Sequence, residues 1–406
     1  MDKSTHERAP SVWPLVLAAA AILMIGMGVR QSLGLFIAPL KADRGIDIAD
    51  ISLAFAVSQL VWGVAQPVYG ALSERWGTRG VLVLGAMLSA TGMALTPFVH
   101  SAAMLTLSVG VIAAAGAAAG SFSVLIGGIA RHLPEERRMF ASGLINAGSS
   151  FGQFLFAPLA QLLITSCGWV FALLALAATT LLTIPLAFRL SARTALTPAP
   201  SAAGPALRVQ IKTAFQDRSY ILLHLAFFTC GFHIAFLVTH LPGEVALCSL
   251  APAVSATSLA LIGLFNIAGS LSAGALSQRY RMKYVLAWMY ATRALIIVVF
   301  LLAPKTAWTF YLFAAALGFT YLATVPPTAG LVGKLFGTRH LATLFGLTLV
   351  THQVGGFFGA WLGGVTISRF GDYSWMWIAD TVLALLAACL HLPIREARVE
   401  PRAVTV

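Results

Sequence analysis

The chain has 406 residues, 59% hydrophobic and only 10% charged, with a mean hydropathy of +0.86. Charged residues make up about a quarter of an ordinary soluble domain, so this composition excludes one and points to a polytopic membrane protein. The net charge of +12 would suit nucleic acid, but the cations sort by the side of the membrane on which their loops fall, which accounts for the basic balance without nucleic acid.

Apolar runs of about 20 residues, each able to cross a roughly 30 Å hydrocarbon core as a helix, can be counted off twelve times. Alternating ten-residue segments are missing, so a β-barrel is a poor fit. The first run, Trp13 to about Phe36, is too long for a signal peptide and has no convincing cleavage site; it is expected to remain as helix 1. A polar loop over Lys41–Asp50 leads to helix 2 (about 51–72), helix 3 (80–98) and helix 4 (103–129). Helix 4 carries the small-residue run 113–120, which reads as a helix-crossing surface. The basic loop 131–138 precedes helix 5 (139–164) and helix 6 (169–188). Residues 189–218 turn to Ser, Ala, Pro and basic residues and read as a flexible linker. Helices 7 to 12 follow at about 220–241, 253–276, 283–302, 307–332, 341–367 and 375–392. The expected organisation is all-α: an N-terminal six-helix bundle over 1–188, a cytoplasmic linker over 189–218 and a C-terminal six-helix bundle over 219–406.

With the N-terminus inside, twenty of the 26 Lys and Arg residues fall on cytoplasmic segments. Lys41, Arg44, Lys305 and Arg369 fall outside. This asymmetry predicts an inner-membrane protein with both termini cytoplasmic. The two remaining cations, Arg30 and Arg293, lie within apolar runs. The four cysteines, Cys167, Cys230, Cys248 and Cys389, show no paired spacing and read as structural. No metal set, nucleotide-binding Gly-rich loop or nucleophile–base pair is present, so no cofactor, metal or catalytic residue is expected.

One charged turn recurs. Gly70-Ala71-Leu72-Ser73-Glu74-Arg75-Trp76-Gly77-Thr78-Arg79 returns about half a chain later as Gly274-Ala275-Leu276-Ser277-Gln278-Arg279-Tyr280-Arg281-Met282-Lys283, which means an internal duplication. The first copy resembles the loop between helices 2 and 3 of the major facilitator superfamily. That resemblance implies twelve transmembrane helices in two pseudo-symmetric bundles, working by alternating access around a midplane site. Helices 1, 4, 7 and 10, with parts of 2, 5, 8 and 11, would line the cavity. In the turn, Gly70 is expected to let helices approach, Glu74 to pair with Arg or Lys across the helix ends, and Gly77 to allow a tight reversal. Gly70, Glu74, Arg75, Gly77, Arg79 and Arg279 are therefore candidates for conformational gating. Gln278 and Arg281 replace Glu74 and Gly77 in the second copy and predict a weaker latch there.

Arg30 stands about 25 Å into helix 1, in its outer half. An intramembrane Arg is kept for a substrate or partner charge, or snorkels to the surface. The stretch Arg30-Gln31-Ser32-Leu33-Gly34-Leu35-Phe36 resembles helix 1 of bacterial carriers in the monocarboxylate and oxalate–formate branch, and a guanidinium suits a carboxylate. Asn146, Ser150 and Gln153 form a polar stripe on helix 5, where Ala147-Gly148-Ser149-Ser150 also resembles the monocarboxylate carriers. Helix 7 offers His233 and His240 on one face, helix 10 offers Tyr321 followed by Pro326-Pro327 as a hinge, and helix 11 offers His352 and Gln353. A lone His in a bundle is as readily a packing residue. The candidate substrate-binding set is Arg30, Gln31, Asn146, Gln153, His233, Tyr321, His352 and Gln353.

The Asp and Arg that monocarboxylate carriers keep on helix 8 fall on Asn266 and Ser270, so that pair is missing. Arg293, on an outer helix, reads as an interbundle or surface-snorkelling cation. Asp380 is the only acid within the predicted runs, so proton coupling would use His233, His352 or a proton carried by the substrate. The expectation is a monomeric secondary carrier of a small organic anion, by proton symport or anion exchange. The alternative, a proton-driven multidrug exporter, would need a cavity acid that is lacking.

Overall fold

A computed structural model describes residues 13–130, 135–190, 207–337 and 340–399. Its described backbone is helical. Helices satisfy every amide within the segment, which is what lipid demands. Among the described residues, eleven stretches are long and apolar enough to cross a membrane: α1 (Trp13–Arg44), α2 (Ile48–Ser73), α3 (Arg75–Phe98), α4 (Ala102–Ile126), α5 (Ala141–Cys167), α6 (Trp169–Leu190), α7 (Arg218–Leu247), α8 (Pro252–Arg279), α9 (Met282–Leu302), α10 (Ala307–Phe336) and α12 (Ser374–His391). Between the last two, α11 (Leu341–Phe370) has 30 residues and packs against α7 and α2. Its length and neighbours make it the twelfth span.

The packing repeats between halves. α1 lies on α5 as α7 lies on α11, α4 packs against the α2–α3 pair as α10 packs against α8, and α9 pairs with α12. Close approach is enforced by absent side chains. On α11 a Cβ at Gly355 would strike the Phe228 carbonyl, and one at Gly359 the Phe232 carbonyl, both on α7. This is a small-xxx-small seam in which two backbones touch.

The two bundles meet through α2 against α11 and α5 against α8. At the end away from the α6–α7 connection they are joined: the Ser368 hydroxyl donates to Asp47 Oδ2 at 3.0 Å, and Gly34 abuts the Val238 and Thr239 carbonyls. At the other end each of these four helices carries a glycine, Gly70, Gly143, Gly274 and Gly346, with open space where its Cβ would be. The bundles are thus closed at one end and parted at the other.

Three expectations are corrected. Gly70 brings no helices together, because nothing lies within 4 Å of its Cβ position. Part of the expected flexible linker is ordered: Leu207–Gln216 is a helix, while 191–206 lie outside the described residues. α7 continues to Leu247, so Glu244 joins a spanning helix and Asp380, on α12, is not the only acid within the spans. Gly77 behaves as expected, with φ 79° at the α2–α3 reversal, a conformation that favours glycine.

Gly359→Val should overpack the α7–α11 seam and cost about 1–3 kcal/mol. Gly346→Val, in open space, should cost less than about 0.5 kcal/mol. Thermal unfolding of the two purified variants checks this, and equal shifts would contradict the seam.

Candidate functional site

α1 runs helical from Trp13 to Gln31 and tightens over Leu33–Phe36 before resuming at Ile37. The Ser32 hydroxyl donates to the Gly28 carbonyl at 2.8 Å, a local bond that bends helices. Arg30 sits at this bend. At 1.5 Å per residue it is about 25 Å from Trp13 and about 21 Å from Arg44, just past the middle of the stretch. It does not snorkel. Its Nη2 donates to Gln59 Oε1 on α2, and the guanidinium lies 4.4 Å from the Trp62 ring centre.

Gln59 packs in turn against Gly356 of α11. Arg30 is within electrostatic reach of Tyr321 on α10 and His352 on α11. The His352 ring lies 5.0 Å from the Phe227 ring at a tilt of 49° and faces Gln353 through Nδ1 at 3.2 Å, leaving Nε2 without a partner. Gln353 fills the space over Gly63 of α2. Arg30, Tyr321, His352 and Gln353 therefore gather where the bundles face each other. Among the described residues no carboxylate pairs with Arg30.

α10 is interrupted beside this group. It is helical over Ala307–Thr320, opens at Tyr321, and restarts as Val325–Phe336. The break precedes Pro326 and Pro327, which open the second piece, where a missing N–H costs nothing. The freed backbone groups need partners in lipid. Arg293 of α9 supplies two, its Nη2 donating to the Thr320 and Tyr321 carbonyls, the latter at 3.0 Å. Asn266 of α8 supplies the third: its Oδ1 accepts from the Leu322 N–H at 2.9 Å, while its Nδ2 donates to Ser150 of α5 at 2.7 Å. Arg293 is thus fully buried and is no surface cation.

Other candidates lie elsewhere. His233 is fully buried but turns to α12, with Nδ1 on Asp380 Oδ2, so it does not join the group around Arg30. Its heptad mate His240 holds the Ala360 carbonyl at 2.7 Å, a packing role. Gln31 is buried with both amide atoms unpartnered. Gln153 faces Gly263 of α8 and leaves its Nε2 free. Asn146 is half-buried on α5, one turn from Ser150. In the gating motif Arg79 lies 3.5 Å from the Phe188 ring centre, Arg75 is exposed, and Arg279 stays near Tyr280 at 5.9 Å. The Glu74 side chain lies outside the described residues. Among those described, neither Arg75 nor Arg79 forms an ion pair.

A polar break at mid-depth in two duplicated bundles is how many secondary carriers build a site. The sequence profile described as Major Facilitator Superfamily matches residues 16–306 and again 249–404. The chain belongs to the major facilitator superfamily. Among similar proteins are monocarboxylate transporter 13 of Rattus norvegicus, 27% identical over 89% of this chain and 84% of the relative, and monocarboxylate transporter 11 of Homo sapiens, 28% identical over 95% and 83%. The uncharacterized MFS-type transporter YcxA of Bacillus subtilis (strain 168) is 22% identical over 95% of each. Two solved structures share the fold. A D-xylose-proton symporter gives a TM-score of 0.75 at 14% identity, covering 96% of this chain and 100% of that one. A bacterial homolog of the human lysosomal transporter Spinster gives 0.74 at 13% identity, covering 95% of each. This major facilitator protein is a multi-pass membrane transporter that carries a small molecule, and is not an enzyme.

Asn266→Ala should leave the Leu322 N–H unpaired in a dry interior and cost about 1–3 kcal/mol. An unchanged thermal midpoint would show that the break does not depend on this amide.

Proposed function

We propose that this transporter carries a small, monocarboxylate-like organic anion across the inner membrane by alternating access, with a proton or in exchange for another anion. The observation that carries the reading is Arg30. It is a mid-depth cation held by a neutral amide and an indole ring, without a carboxylate among the described residues. Such a charge is costly in a membrane interior unless a counter-charge arrives. A carboxylate fits a guanidinium's paired donors, and Tyr321, whose hydroxyl has no partner, can add a further hydrogen bond. The names of the monocarboxylate transporter relatives agree with this chemistry.

The substrate would sit between Arg30 on one bundle and Tyr321, His352 and Gln353 on the other. Contact with both bundles is what lets a bound anion bias their rocking. The excess of Lys and Arg on alternate loops supports cytoplasmic termini, which makes the parted end the cytoplasmic one. The turns at 70–79 and 274–283 lie at that end, and Glu74, Arg75, Arg79 and Arg279 would act when it closes.

Thermal-shift screening of the purified protein against small mono- and dicarboxylates, aromatic acids and lipophilic cations tests the assignment. A carboxylate should stabilise the wild type. Arg30→Gln should lose about 30-fold or more in affinity, the cost of leaving the anion uncompensated. Arg30→Lys should recover only part, because it keeps charge but not the planar fork. Stabilisation by cations, or by acids equally in wild type and Arg30→Gln, would contradict the anion reading.

A further inference from the structure

A second buried ionisable cluster stands on the far side of the α10 break from Arg30. His233 of α7 and Asp380 of α12 form a fully buried pair through Nδ1 and Oδ2. Arg293 of α9 lies within electrostatic reach of His233 and holds the Thr320 and Tyr321 carbonyls. Four polar atoms of this trio have no partner: His233 Nε2, Asp380 Oδ1, and Arg293 Nε and Nη1. Packing alone does not explain them, because a buried group left unpaired costs stability.

Two charged groups act on His233: Asp380 of α12 and Arg293 of α9. Around Arg293 in turn stand Tyr290 of α9, Tyr321 of α10 and His352 of α11. α8 offers the neutral Asn266, and α7 itself carries Cys230 and His240. Tyr321 is within electrostatic reach of both Arg30 and Arg293, and so links the two clusters.

We infer that His233, paired with Asp380 and opposed by Arg293, is the proton-binding site of this carrier, coupled to the anion at Arg30 through the α10 break. The inference rests on the anion-carrier reading. In the unloaded carrier of this proposal the Asp380 carboxylate accepts from Nδ1–H of a neutral imidazole, whose Nε2 lone pair is free. One proton binds Nε2; no bond breaks, and His233 goes from neutral to +1. Asp380 then balances the imidazolium, and Arg293 loses its share of that negative charge. The cluster moves from zero net charge to +1, beside a site that lacks an anion. A carboxylate arriving at Arg30 offsets the added charge across Tyr321. Proton and anion therefore favour each other's binding, and by linkage the effect is reciprocal. The loaded and empty carriers also carry the same net charge, which allows both to reorient.

The test measures proton uptake when sodium lactate is added to the purified wild type in weakly buffered detergent with a pH indicator near neutrality. About one proton should be taken up per anion bound. His233→Gln and Asp380→Asn, accepted only if monodisperse and still stabilised by lactate, should bind without uptake. Lactate binding by the wild type with no proton uptake would overturn the inference while leaving the anion reading intact. Uptake surviving in His233→Gln but lost in His352→Gln would overturn it by moving the proton to α11. No stabilisation of the wild type by lactate or the other carboxylates of the screen overturns the anion reading itself and the inference with it. Absence of uptake by the wild type overturns the inference even if neither variant folds.

Discussion

The broken backbone of α10 constrains the rest of the structure. Lipid offers no hydrogen bonds, so a helix can open at mid-depth only where other side chains satisfy what it frees. Arg293 comes from α9 to hold two carbonyls, and Asn266 comes from α8 to hold one N–H. Asn266 also reaches across to Ser150 of α5, so the break in one bundle is tied to the other. The cation that plugs the break lies within electrostatic reach of His233 and of Tyr321, which itself reaches Arg30.

Rigid bundles and a divided interface make that constraint useful. The glycine seam between α7 and α11 locks helices backbone to backbone, so each half can move as a body. Between the halves polar side chains make some of the contacts, such as Asp47 with Ser368 and Asn266 with Ser150. Those bonds can exchange partners at little cost, whereas interlocked backbones cannot. Within the N-terminal half the partner of Arg30 is likewise a neutral amide, that of Gln59, which a carboxylate outcompetes through charge-assisted hydrogen bonding.

Much of the architecture was legible in the sequence because span length and duplication are one-dimensional signals. Twelve apolar runs and the echo of the 70–79 turn were enough for the fold, and an arginine in an apolar run marked Arg30. The misreadings have physical causes. Gly70 fits the expected turn, but this state leaves its surroundings open. Arg293 sits in a run as apolar as its neighbours, and composition does not say which face it occupies. Asn266 registered only as a missing acid, although an amide can both donate and accept and so suits a broken helix better than a carboxylate. His233 and His240 share a face by spacing, yet one meets Asp380 and the other a carbonyl, a difference set by tertiary neighbours. A usable signal did exist: Asn266, Arg293 and Asp380 are polar residues well inside predicted spans, and each required a partner.

The central claim is that Arg30 holds the carboxylate of the substrate between the bundles. A structure determined with a saturating small monocarboxylate, chosen by stabilisation of the wild type, tests it most directly. The account predicts the carboxylate within hydrogen-bond distance of the Arg30 guanidinium, with Gln59 displaced from it and Tyr321 close by. A carboxylate bound elsewhere, with Arg30 still on Gln59, would contradict it.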